Sequence, residues 1–163
     1  MRRLFAWGPA VAALAAAVSC SGTLQYDGVY QGSIVSTLTP APAIYGSPSY
    51  TGMVFLTEGA KGTAVQGAFD AGTTYAAQQQ AMSGTFSGTV TSKNALNPLS
   101  VTVDQLFQDC ELNVTATGSG TLTPNSQGIP VLAWTADGDG LCAGTQTHVS
   151  LVAAGMVRVD GGT

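Results

Sequence analysis

ELNVTATGSGTLT, residues 111–123, carries the reading of the fold. Leu112, Val114, Ala116, Gly118, Gly120 and Leu122 fall on one side of a two-residue alternation. Asn113, Thr115, Thr117, Ser119 and Thr121 fall on the other. Successive side chains of a strand point to opposite faces, so this pattern is a strand with one buried side. A strand this long suits a coiled sheet, and glycines on its inner face relieve crowding where a barrel bends.

The same period extends outward in both directions. In YDGVYQGSIVSTL (26–38), Tyr26, Gly28, Tyr30, Gly32 and Ile34 share a side. GMVFLTEGAKGTAVQGAF (52–69) reads as two strands around a glycine-bearing turn at 58–62. Further strands are expected at 82–90, 99–107, 129–136 and 144–152, with 153–159 continuing past a bulge at Gly155 or adding a short strand. Asp137-Gly138-Asp139-Gly140 is expected to be a turn. Residues 39–50 read as a proline-rich loop, and 70–81 as a polar connection that could include a helical turn. No segment after residue 20 combines a 3.6-residue apolar period with helix caps. About eight strands at short, even spacing predict an all-β chain: an antiparallel up-and-down β-barrel, with a β-sandwich as the alternative.

The N-terminus reads differently. Met1, Arg2 and Arg3 precede an apolar run from Leu4 to Val18, broken by Gly8-Pro9 and ending in small residues. That is the layout of a secretory signal peptide. A membrane-spanning helix needs about 18 or more apolar residues in a row. Ala17-Val18-Ser19-Cys20 resembles the lipobox of bacterial lipoproteins, with Ala17 where leucine is usual. The resemblance implies cleavage before Cys20 and acylation of that cysteine. The alternative is an ordinary secreted protein cleaved near Ser19. The expected organisation is a leader at 1–19, a short tether at 20–25 and one barrel domain at 26–163. The chain has three cysteines, Cys20, Cys110 and Cys142. If Cys20 is lipidated, the other two remain as a pair, and export places them where a disulfide persists. Such a bond near one rim would contribute roughly 3 kcal/mol on the chain-entropy account.

Charge and motif inventory exclude several functions. From Cys20 onward the only basic residues are Lys61, Lys93 and Arg158, against nine acidic ones, a formal charge of 3 minus 9, or −6. Without a basic patch, nucleic acid is not an expected partner. The single histidine, His148, alternates with Gln146 and Ser150, which puts it on a solvated face. No Gly-x-Ser-x-Gly motif occurs, and no serine stands three residues before Lys61 or Lys93. Counting a calcium loop from Asp137 puts Leu141 and His148 where ligands should stand, so no metal site is expected there. Asp109 and Glu111, flanking Cys110, read as rim charges. No enzyme activity and no cofactor are expected.

Gly28-Val29-Tyr30-Gln31-Gly32 and Val65-Gln66-Gly67-Ala68-Phe69 resemble the glycine-and-aromatic strands of lipocalin-like and avidin-like barrels. Tyr30 stands where lipocalins carry tryptophan, and the biotin contacts of avidins have no counterpart. The resemblance implies a barrel and, by extension, a carrier of a small apolar ligand. Tyr26, Tyr30, Phe55, Phe69, Phe86 and Trp134 are the aromatic residues expected either to line a lumen or to fill it. The expected function is an envelope lipoprotein whose barrel is a non-catalytic interaction or structural module. Its partners would be a membrane, through the lipid, and another protein. The lipobox, with Ser21 after the cysteine, implies the outer membrane of a Gram-negative cell; the alternative is a secreted or periplasmic protein. An inhibitor of an extracellular hydrolase, presenting residues 39–50, is a further reading.

Overall fold

The computed structural model describes residues 25–41, 47–59, 63–75, 78–91, 94–107 and 110–160. They form eight strands: β1 (Gly28–Thr39), β2 (Ser49–Glu58), β3 (Ala64–Tyr75), β4 (Gln78–Val90), β5 (Ala95–Phe107), β6 (Cys110–Pro124), β7 (Pro130–Cys142) and β8 (Thr145–Arg158). Each pairs antiparallel with its sequence neighbours, and β8 returns to pair with β1, which closes an up-and-down barrel in the order β1 to β8. The barrel expectation holds and the sandwich alternative is excluded. We call the end at which β1 begins the lower end; odd-numbered strands run up and even-numbered ones down.

The alternation of 111–123 is realised as expected. Leu112, Val114, Ala116 and Leu122 are buried, while Thr115, Thr117, Ser119 and Thr121 are exposed. Inner faces are mostly apolar, with Ser36, Gln80, Gln105 and Thr147 the buried polar exceptions among the described residues. The outer wall carries hydroxyl side chains in register, Thr85 beside Thr102 and Thr102 beside Thr115. An apolar inside and a polar outside is the inverse of a membrane-spanning barrel, whose lipid-facing side must be apolar. No helix among the described residues is long and apolar enough to cross a membrane.

Close backbone approach explains the inward glycines. A Cβ on Gly118 would lie 1.8 Å from the carbonyl oxygen of Thr135, and one on Gly84 would lie 1.8 Å from that of Thr102. The bulge expected at Gly155 is present: between the pairs Leu132–Met156 and Trp134–Ala153, the single residue Ala133 of β7 faces two of β8, Ala154 and Gly155.

Two local expectations are corrected. Asp137–Gly140 is not a turn; it lies inside β7, and the reversal comes at Ala143-Gly144, where Cys142 pairs with Thr145. Both central residues have positive φ (48° and 81°), the two-residue turn whose twist matches a hairpin. The stretch 70–81 is not a helical connection either: β3 runs on to Tyr75 and β4 begins at Gln78.

Candidate functional site

The lumen, the outer wall and the two rims hold the polar and aromatic groups on which a function could rest. In the middle and lower lumen, Trp134 reaches from β7 to Phe69 on β3, the diametrically opposite strand, with ring centroids 6.4 Å apart. Phe86 of β4 meets the same indole edge-on at 5.8 Å. Side chains that touch across the full diameter leave no open channel at that level. Phe55 does not join them. Val54 and Leu56 point inward, so the period places Phe55 outside, where it is 46% exposed. The expectation that it lines the lumen is therefore corrected.

The floor is built by the residues just before β1. The Tyr26 hydroxyl donates to the Asn94 carbonyl, and its backbone N–H donates to Glu58 Oε2 at 2.8 Å. The Tyr30 hydroxyl donates to the Tyr26 carbonyl at 3.1 Å. Glu58 in turn donates its backbone N–H to Asp27. Burial, reinforced by Tyr30 and Glu58 nearby, drives the Tyr26 phenol well above its ordinary value. Burial also pushes Tyr30 up to about 12, against the opposing pull of Arg158. Both phenols therefore remain neutral hydrogen-bond donors near neutral pH. Beside this floor, Arg158 Nε donates to Asp160 Oδ1 at 2.7 Å, and Asp160 Oδ2 accepts the Val29 N–H at 3.0 Å. The Arg158–Asp160 hydrogen bond raises the Arg158 guanidinium and lowers the Asp160 carboxyl.

The upper lumen is polar. Ser36 Oγ of β1 donates to Gln105 Oε1 of β5, again the opposite strand, at 3.1 Å. Gln105 Nε2 donates to the Tyr50 hydroxyl at 2.7 Å, and that hydroxyl donates to Gln80 Oε1 at 3.1 Å. All four residues are buried. The chain of donors ends at Gln80 Nε2; among the described residues it and Trp134 Nε1 are the buried side-chain donors that have no protein partner. This relay escapes sequence reasoning, because glutamines and a serine on alternating positions look like outward residues.

On the outer wall His148 sits between two carboxylates, with Nδ1 3.0 Å from Asp139 Oδ1 and Nε2 3.6 Å from Asp137 Oδ1. All three are about half exposed, and among the described residues no nucleophile is bonded to the imidazole. Among the described residues no group of three or more histidine, cysteine or carboxylate side chains is arranged to hold a metal ion. Glu111 is exposed at the upper rim, and its expected companion Asp109 lies outside the described residues. A shallow depression of about 540 Å³ surrounds Gly72 on the outer wall, between Asp70, Thr74, Gln79 and Leu106. A smaller one, about 240 Å³, lies at the upper rim against Pro40, Cys142 and Thr147.

Cys110 and Cys142 form a disulfide, with Cα atoms 4.8 Å apart, at the upper ends of β6 and β7. Cys20, the leader, most of the tether and the centre of the loop between β1 and β2 lie outside the described residues. No protein family, curated protein or solved structure matches the chain. The fold is compatible with a structural or binding module.

Proposed function

We propose that the chain is an envelope lipoprotein, held at the outer membrane through acylated Cys20, whose barrel is a non-catalytic interaction or structural module. The observation that carries this reading is the filled lumen. Trp134 touches Phe69, and Ser36 bonds Gln105, so side chains join opposite strands at two levels. An eight-stranded barrel is just wide enough to be filled in this way. A partner then meets the outer wall or the upper rim. The test is native mass spectrometry of the full chain expressed with export. A bare polypeptide carrying acyl groups on Cys20 supports the reading; an unmodified cysteine removes the anchor from it.

A small-ligand carrier is the second reading, and two atoms favour it. Gln80 Nε2 and Trp134 Nε1 are buried donors without a protein partner. Leaving such a donor unpaired costs about 1–3 kcal/mol, which an acceptor oxygen on a guest would offset. The guest would thus be a small molecule with a carbonyl or hydroxyl group rather than a pure hydrocarbon. A stoichiometric copurified mass in the same experiment would establish it.

A further inference from the structure

Leu106 and Leu141, the most exposed large apolar side chains, stand at the upper ends of the non-adjacent strands β5 and β7, and Met53 and Val152 lie on the mid-wall; the lower end carries a group. Phe55 on β2, Ile129 in the turn before β7, and Val157 and Val159 at the end of the described chain are each at least a third exposed. Pairing makes most of them one surface. Phe55 stands beside Val29, Val159 donates its N–H to the Val29 carbonyl at 2.8 Å, and Val157 pairs with Val131. Asp70, beside Met53, marks the upper limit of this patch.

The charges run the other way. Asp104, Glu111, Asp137 and Asp139 lie exposed on the upper part of the wall. The lower carboxylates are engaged: Asp27 accepts from Glu58, Glu58 from Tyr26, and Asp160 from Val29 and Arg158. The upper carboxylates are bonded too, Asp104 to Asn113 and Asp137 and Asp139 to His148, so the contrast is one of number: among the described residues four carboxylates stand above, and three stand below beside the Arg158 cation.

The chain also enters the barrel at this end, through Gln25 and Tyr26. From Cys20 to Gln25 is five residues, a reach of at most about 18 Å even when fully extended. An acyl chain on Cys20 would hold the lower end within that distance of the bilayer.

We propose that the lower end of the barrel docks on the membrane, with Phe55, Val157 and Val159 in the interfacial layer and the disulfide-bearing rim pointing away. The inference rests on the anchor reading above, and it adds a fixed orientation: the partner-binding surface is the upper rim and upper wall.

The test uses the full chain as processed by its host, reconstituted in vesicles of phosphatidylethanolamine and phosphatidylglycerol with brominated acyl chains. Two variants, Phe55→Trp and Leu141→Trp, place an added indole at the lower patch and at the upper end; both positions are exposed, so both variants fold. Trp134, and Trp7 in any chain that keeps its leader, contribute the same background to each. The expected result is at least twofold stronger quenching of the indole at position 55 than at position 141. Equal quenching, or stronger quenching at 141, overturns the docking. A doubled particle mass without quenching at 55 overturns it in favour of a second copy on the patch. The mass of the Cys20 peptide is read in parallel. An unmodified Cys20 with quenching at 55 removes the anchor alone, and an acylated Cys20 without quenching removes the docking alone.

Discussion

At the scale of single residues, the lumen sets two glutamines against each other. Gln105 hydrogen-bonds both Ser36 and Tyr50. Gln80 accepts one from Tyr50 and keeps an unpartnered buried N–H. Removing a satisfied buried group costs about 1–3 kcal/mol, whereas removing an unsatisfied one offsets most of its loss. Gln105→Leu is therefore expected to lower the urea midpoint by an amount worth about 1–3 kcal/mol, with the slope unchanged. Gln80→Leu is expected to stay within about 1 kcal/mol of the parent. A large loss at Gln80 would mean that its amide is satisfied by a guest or a water. Neither residue announces itself in the sequence. A polar side chain on an alternating strand is read as outward unless the opposite wall is known to supply its partner.

At the scale of elements, the reversal between β7 and β8 is where local signals and pairing disagree. Asp137-Gly138-Asp139-Gly140 has turn composition, yet its glycines serve close packing. A Cβ on Gly138 would stand 2.8 Å from the Thr115 carbonyl, and one on Gly140 would stand 2.5 Å from Val114. The strand runs through them, and the turn falls on Ala143-Gly144 instead. Ala143 holds φ at 48°, which costs an alanine about 1–2 kcal/mol. Asparagine tolerates that region and is favoured there before glycine. Ala143→Asn is thus expected to stabilise the protein by about 1 kcal/mol, read as a rise in the thermal midpoint. Strand existence, facing and the β8 bulge were legible because a two-residue period survives in any one strand alone. The extension of β3 and β4 into 70–81 was hidden, because Gln80 faces a polar upper lumen and breaks the apolar alternation. Phe55 was legible in principle, since Val54 and Leu56 flank it, but aromatic character outweighed period.

At the scale of the whole molecule, the disulfide and the closed ladder divide the work of holding the barrel shut. The paired register of β6 and β7 runs from Pro124 and Pro130 up to Thr117 and Asp137. Above it the Cys110–Cys142 bond clamps the two strands, closing a separation of 32 residues. The double variant Cys110→Ser/Cys142→Ser is expected to lose roughly 3 kcal/mol in denaturant unfolding. It should also show faster amide hydrogen exchange at 138–142 than at 131–136, where the ladder persists. The odd cysteine count pointed to this pair, while the candidate site in the upper lumen depends on strands brought together only by closure. Closure has another result. Every strand has two neighbours, so no strand offers an unsatisfied row of N–H and C=O groups to another molecule. Copies packed side by side at high density cannot template one another into fibrils, as the free edges of a sandwich could. Such a chain can be displayed densely without edge-to-edge strand pairing.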